Sequence, residues 1–353
     1  MRKAAISSGV IGLVLLIAAA LMAWWITPSY IARMPSTYNK TRTYDATIRT
    51  LFNPAALASG NLAGAIKTGV PATITETVKV QQTSGNTALV QDTRNITVAG
   101  TLVGKTVTPY ALNRQTLEPV SSHPSDWSVI PAQGLTVSWP LGAKQQNYTG
   151  WVYQTYTTTT LKYVKQVQQG GINTYEYQAT VPATPIKNPQ LLASLPKSLP
   201  VSLLAPMRAA GLLSAANLAS LAKLFPGATS IPLAYTYQSA NTYYVAPATG
   251  LVVNVGNNET EMAGIALPNG TIVPVLPVLA YTYHATPASL SAAVSDANNG
   301  SSAITTWGVT VPIAAAAVGF VLVLLAAFLW MRGSSRGRPA GMTYHERHPS
   351  PTG

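Results

Sequence analysis

The chain contains no cysteine. Disulfides, zinc–thiolate sites, iron–sulfur clusters and a thiol nucleophile are therefore excluded. Histidine is nearly as scarce: His123, His284, His345 and His348 are the four present, and two of them fall in the last nine residues. A metal cage built on histidine is not expected, and the sequence calls for no cofactor. Charge is thin as well. Lys, Arg, Asp and Glu make up 9% of the 353 residues, where about a quarter is usual. Only nine carboxylates precede the C-terminal tail: Asp45, Glu76, Asp92, Glu118, Asp126, Glu176, Glu259, Glu261 and Asp296. Acid unfolds proteins largely by protonating carboxylates that the native state uses. A domain with so few is expected to stay folded in acid. A Gly-x-Ser-x-Gly elbow, a P-loop and a dinucleotide fingerprint are also missing.

The charge that is present is lopsided. The net charge is +12, yet no Lys or Arg occurs between Lys223 and Arg332. Sixteen basic residues are spread thinly from Arg33 to Lys223 with no recognisable nucleic-acid module, so nucleic acid is not an expected partner.

Two apolar runs bound the chain. Residues 4–26 carry no charge and, at ~1.5 Å per residue, reach across a ~30 Å hydrocarbon core. Trp24 and Trp25 close the run where an aromatic belt belongs. A cleaved signal peptide is the rival reading, but its apolar region is about 7–15 residues, and this run is longer and continues through the tryptophans. Residues 304–331 form the second span, bracketed by Trp307 and Trp330 and followed by Arg332, Arg336 and Arg338. Positive charge collects on the cytoplasmic side. The reading is thus a cytoplasmic N-terminus (1–3), a transmembrane helix (4–26), an extracytoplasmic domain (27–303), a second transmembrane helix (304–331) and a basic, disordered cytoplasmic tail (332–353). Trp24, Trp25, Trp307, Trp330 and Arg332 are the membrane-anchoring residues.

Between the spans, polar residues alternate with β-branched or aromatic ones over Ala72–Gln81, Thr87–Val98, Trp151–Gln168, Ile172–Val181, Leu233–Val245, Gly250–Val255 and Thr271–Tyr283. This is the pattern of antiparallel strands with one wet face. Tyr110–Val120 and Tyr244–Val253 share a strand–turn–strand plan with Thr at the turn exit. Asn53-Pro54, Asn188-Pro189 and Thr286-Pro287 each mark a helix start. The first helix should end near Gly69, and the last should stop at Asn298-Asn299-Gly300. The longest helix is expected over Ser202–Phe225, within an apolar insert at about 189–226. Its stripe of Leu218, Leu221, Leu224 and Phe225 either packs on the domain's own core or forms an apolar binding element that meets lipid or a partner.

Candidate chemistry is sparse. Glu259 and Glu261 alternate, so both point to one face of a strand, as paired catalytic carboxylates would. Their neighbours Asn257, Asn258 and Thr260 suggest a polar, turn-like setting, and a solvated face is the expected reading. His123, in Ser-Ser-His-Pro-Ser-Asp, reads as a loop residue.

Four segments carry a family resemblance: Gly134-Leu-Thr-Val-Ser-Trp-Pro-Leu-Gly142, Tyr148-Thr-Gly-Trp151, Gly170-Gly-Ile-Asn-Thr-Tyr-Glu-Tyr-Gln178 and Tyr243-Tyr-Val-Ala-Pro-Ala-Thr-Gly-Leu-Val-Val-Asn254. In order and spacing they resemble the actinobacterial PorA-type envelope family, a domain of unknown function that carries the name porin. The resemblance covers most of residues 5–330 and implies the same terminal anchors. It transfers no catalytic residue. The chain departs from the family in its low charge and its apolar insert. The layout of one domain on two terminal helices is also similar to class B scavenger receptors, which implies lipid handling.

The expectation is a membrane-anchored α+β protein whose ectodomain is mainly antiparallel β with a helical insert. Its role is that of a non-enzymatic envelope protein of the cell membrane, binding or scaffolding lipid or another apolar envelope component. A porin or channel former is the alternative. A membrane-anchored hydrolase ranks last, and a buried acidic or histidine pocket would revive it.

Overall fold

Thr, Val and Tyr recur at every second position through the middle of the chain, and these residues form one large antiparallel sheet. The computed structural model describes residues 2–53, 56, 59, 61–209, 211, 213–267 and 270–334. It divides into two compact units. One comprises the two chain ends, through Ile31 and from Ala303; the other runs from Ala32 to Ser302.

The larger unit holds thirteen strands: β1 (Asn39–Phe52), β2 (Ile66–Lys67), β3 (Val70–Ser84), β4 (Thr87–Val98), β5 (Thr101–Asn113), β6 (Tyr148–Val152), β7 (Thr157–Gln169), β8 (Ile172–Pro185), β9 (Ser198–Pro200), β10 (Ser230–Pro232), β11 (Ala234–Val245), β12 (Val252–Ala266) and β13 (Ile272–Ala285). Ten follow the order β5-β4-β3-β1-β13-β12-β11-β8-β7-β6, with β2 beside β1, in a half-barrel. Strands β9 and β10 pair separately. Thr87–Val98 matches its expected strand end for end. The stretch Trp151–Gln168 is two strands, because residues 153–156 turn between β6 and β7. Strand β1 was not expected: its Lys40, Arg42, Asp45 and Arg49 obscure the alternation of Tyr44, Ala46 and Ile48, which are buried. Both expected hairpins form, Leu112 bridging Pro119 and Tyr244 pairing Asn254. In each, the residue after Thr is left-handed, Leu117 at φ 59° and Gly250 at φ 68°.

Helices in this unit are short except for the last. Helix α2 is Leu62–Ala65; most of the helix expected from Pro54 starts on residues outside those described. Asn188 caps α3 (Pro189–Ser194) by accepting from the Gln190 and Leu191 amides. The single helix expected over 202–225 is instead a 3₁₀ turn (Val201–Leu203), α4 (Leu204–Ala209) and α5 (Ala215–Leu224). Gly211, at φ 71°, turns the chain between the last two. Helix α6 runs Pro287–Thr305, straight through the stop expected at Asn298-Asn299-Gly300. Ala293 and Ala297 are buried on that helix, and Gly300 sits so close to Thr249 that an added Cβ would lie 2.8 Å from its methyl group. Burial of this face outweighs the weak helix preference of those residues.

The second unit is a pair of antiparallel helices. Helix α1 (Arg2–Leu21) winds on as π-helical turns over Met22–Ile31, and α7 spans Val311–Ser334. Both stretches are long and apolar enough to cross a membrane. Their closest approach is glycine on glycine: a Cβ on Gly12 would lie 2.6 Å from the Gly319 carbonyl oxygen. At one end Thr27 donates to the Trp307 carbonyl (2.9 Å). Val10, Leu13, Val14, Phe320 and Val321 are more than half exposed, as lipid-facing side chains are.

Candidate functional site

The inner face of the half-barrel is polar at its centre. Glu259 stands mid-strand on β12, between β11 and β13, and is 3% exposed. Both of its oxygens are engaged. Oε2 accepts from the hydroxyls of Tyr281 (2.9 Å) and Tyr237 (3.1 Å). Oε1 accepts from Tyr283 (3.2 Å) and from Arg94 Nη1 (3.4 Å). Arg94, on β4, also donates to the Tyr283 hydroxyl (2.8 Å) and lies 3.7 Å from Glu76 Oε1, while Tyr44 donates to Glu76 Oε2 (2.8 Å). The tyrosines come from neighbouring strands at period two, so the pleat itself aims their hydroxyls at the same carboxylate.

The expectation that Glu259 and Glu261 form a solvated face is therefore corrected. Glu261 is 9% exposed. The polar neighbours that suggested a turn belong instead to a central strand, in which Asn257 also faces inward and is buried. Burial first, and the Glu259 carboxylate second, push Glu261 up to about 7. Burial and the neighbouring Glu76 push Asp92 up to about 8, against the pull of Arg94.

Beside this network lies a partly open cavity of about 180 Å³. Six buried polar atoms on residues that line it have no hydrogen-bond partner among the described residues: Asp92 Oδ1, Thr136 Oγ1, Trp139 Nε1, Trp151 Nε1, Asn241 Oδ1 and Asn257 Oδ1. Buried polar groups are nearly always paired, so six around one space call for an explanation. Asn241 and Asn257 face each other across the β11–β12 ladder. Their amide nitrogens are spent within the protein, on Ser239 Oγ and the Tyr243 hydroxyl and on the Tyr283 hydroxyl respectively, which leaves the two carbonyl oxygens over.

Three of the four segments singled out by sequence, Gly134–Gly142, Tyr148–Trp151 and Tyr243–Asn254, help line this cavity, and Gly170–Gln178 packs behind them. Trp139 packs against Tyr177 (5.1 Å between ring centroids) and Tyr243 (5.3 Å). Its amide donates to the Gly250 carbonyl (3.0 Å), as does the Ser138 hydroxyl (2.6 Å). A side chain on Gly250 would collide with the Trp139 carbonyl, so glycine is required there for its backbone φ and for the close approach. The Leu135 amide donates to Thr149 (2.8 Å), and the Tyr177 hydroxyl donates to the Lys144 carbonyl (2.6 Å). Gly134–Gly142, Tyr148–Trp151, Gly170–Gln178 and Tyr243–Asn254 thus meet at Trp139.

The other sequence candidates lie elsewhere. Leu221 is buried in a hydrophobic core with Met207, Leu213 and Ile231, which adjoins the cavity through Val152, Val181 and Tyr237; Leu218 and Phe225 pack against it, and only Leu224 is exposed. This stripe covers the domain's own core. Trp24, Trp25, Trp307 and Trp330 are exposed on the helical unit, and Arg332 lies over the Phe328 ring at 4.5 Å. His123 sits in a loop, Nδ1 2.9 Å from the Pro124 carbonyl, its ring stacked on Trp127. No group of three or more His, Asp or Glu positioned to share a metal ion occurs among the described residues.

The family model for Porin PorA matches residues 6–328, nearly the whole chain. No curated protein matches. Among solved structures, an acyl-CoA thioesterase II TesB2 from Mycobacterium marinum is 11% identical, with 70% of this chain and 80% of that one covered and a TM-score of 0.13. A putative thioesterase II from Thermobifida fusca YX is also 11% identical, with 77% and 86% covered and a TM-score of 0.12. Scores this low describe no shared fold.

Proposed function

The chain belongs to the porin PorA family, and from that premise we propose that it is a non-enzymatic cell-envelope protein, a binding domain held outside the cytoplasm by two transmembrane helices. The observation that carries this reading is the cavity with six unpartnered polar atoms inside the half-barrel. Ligand sites are concave, with a few convergent polar groups on a rigid frame. A buried acidic pocket would have revived the hydrolase, but each oxygen of Glu259 and Glu76 already faces Arg94 or a tyrosine hydroxyl. Neither is free to act as a nucleophile or to take a substrate proton, and Asp92, the cavity carboxyl with an unpartnered oxygen, has no second free carboxylate beside it to complete an acid/base pair.

The family's name suggests a pore. A transmembrane barrel needs a continuous apolar band on its outer face. The exposed positions of β7 are Thr158, Thr160, Lys162, Val164, Lys165, Gln166 and Gln168, of which Val164 alone is apolar, and such a face suits water better than lipid. Orientation follows from charge: the antiparallel pairing of α1 and α7 brings Lys3 and Arg332 to one end of the helical unit, the end expected in the cytoplasm.

Native mass spectrometry of the full-length protein, extracted from its own host's envelope, tests this reading. A stoichiometric small-molecule adduct is expected. A bare mass together with unitary conductance steps in planar bilayers would overturn it in favour of the channel.

A further inference from the structure

We propose that the cavity binds a neutral, hydroxyl-rich ring of monosaccharide size, a sugar residue carried free or at the end of a larger envelope molecule. The inference rests on the binding reading above and names its ligand class.

The charge in the site is already used. The oxygens of Glu259 and Glu76 are taken up within the protein by Arg94 and four tyrosine hydroxyls, those of Tyr44, Tyr237, Tyr281 and Tyr283. Asp92 is the carboxyl left with an unpartnered oxygen, and burial holds its proton up to about pH 8. An anion therefore finds no cationic side chain free, and a cation finds no ionised carboxylate oxygen without a partner. What remains are neutral groups of both kinds. The Asn241 and Asn257 carbonyls accept, the indole N–H groups of Trp139 and Trp151 donate, and the Thr136 hydroxyl does either. Asn257 and Trp139 are 6% and 4% exposed, so these groups are built in rather than caught on a surface.

A ligand that fits must offer donors and acceptors close together on one small frame. A hydroxyl does both at a single atom, and a ring of hydroxyls does so around its whole edge. Water also satisfies both, and it is the ordinary filler of a polar cavity. The aromatic lining sets this cavity apart: Trp139, Trp151 and Tyr243 are among the residues that line it beside the polar atoms. Apolar faces gain nothing from water but pack against the C–H face of a sugar, whose rim keeps the hydrogen bonds. A fatty chain would leave all six polar atoms unpaired, each a loss of about 1–3 kcal/mol.

The test is a titration of the full-length protein in nanodiscs with methyl glycosides of the common aldohexoses and aldopentoses. Spermidine and citrate serve as charged probes and octanoate as an apolar one, all read by saturation-transfer NMR on the probe. At least one glycoside should bind saturably and be displaced by none of the other three. Trp139→Phe, which keeps the ring and loses the N–H, should weaken binding by about tenfold, as should Asn257→Leu. Trp151→Phe serves as the second conservative variant if Asn257→Leu does not fold. Glycoside binding left unchanged by Trp139→Phe and Trp151→Phe would overturn the proposal, since the sugar would then sit elsewhere. Binding of spermidine, citrate or octanoate without any glycoside would overturn the sugar assignment while leaving the cavity a binding site. Binding of no probe at all would also overturn it, and the adduct sought by native mass spectrometry then decides separately whether the domain binds anything.

Discussion

Glu259 and Tyr281 face each other across the β12–β13 ladder, and the tyrosine hydroxyl donates to the carboxylate over 2.9 Å. Tyr283 is the next inward residue on the same strand, and Tyr237 stands on the opposite neighbour, so three phenols and one guanidinium converge on a single buried acid. Removing one member of such a set leaves the others buried and unpaired.

The Glu259→Gln variant should therefore be much less stable than its size suggests. The amide has the same shape but no charge to balance Arg94, and its nitrogen cannot accept from a tyrosine. A loss of about 3–5 kcal/mol is expected. Thermal melting of the purified protein should show a fall of about 10 °C in Tm. A shift of a degree or two would mean that Arg94 is balanced by Glu76 alone.

Stability should also depend on pH in a direction unusual for a protein. Asp92 is pushed up to about 8 and Glu261 to about 7, whereas carboxyls of the unfolded chain ionise near ~4. Between those limits the folded domain keeps protons that the unfolded chain has released, so stability falls as pH rises. Asp296 acts in the opposite sense. Burial works against its charge, but hydrogen bonds from Lys40 and Arg42 hold it below its usual value, so its contribution is lost only as pH falls below ~4. Tm should be highest near pH ~5 and decline towards pH ~9, and Asp92→Asn should flatten the decline. A Tm that climbs steadily across that range would contradict the buried, protonated state of Asp92. The acid tolerance expected from scarce carboxylates points the same way, and the placement of these two acids would add to it.

Those two acids mark the boundary of what could be read without coordinates. Strand β4 was legible because its alternation is local and its bounds are the turns at Gly85-Asn86 and Ala99-Gly100. Glu261 was not, because burial of a carboxylate depends on tyrosines 20 or more residues away that align only when β11, β12 and β13 are in register. One signal was available: Tyr235 and Tyr237, then Tyr281 and Tyr283, are period-two tyrosines on strands flanking the acids, and inward phenols need acceptors. The cavity was hidden for a similar reason. Part of its wall is assembled from three segments backed by a fourth around Trp139, a meeting point that no local pattern announces.

The antiparallel helix pair makes a prediction that the cysteine-free background allows to be tested cleanly. A Cβ on Gly9 would lie 3.3 Å from the Ala326 Cβ, close to the 3.5–4.5 Å that a disulfide spans. The double variant Gly9→Cys, Ala326→Cys should cross-link readily in native membranes, giving a product of altered mobility on non-reducing gels. Adding Gly12→Leu should cut the yield several-fold, since the new side chain meets the Gly319 carbonyl at 2.6 Å. Equal yields with and without Gly12→Leu would show that the helices do not meet through their glycines.

Single cysteines also settle which way the protein faces. Gln145 is exposed on the large unit, and Ser350 lies in the tail. If both helices span the membrane as an antiparallel pair, the two chain ends share one side and the domain occupies the other. By the positive-inside bias, the basic residues at the paired ends would put that side in the cytoplasm. A membrane-impermeant maleimide should then label Gln145→Cys in intact cells and Ser350→Cys only after permeabilisation. The reverse pattern would put the cavity in the cytoplasm, where an envelope sugar could not reach it. Labelling of both in intact cells would mean that one helix does not cross, and the domain would then hang from a single anchor.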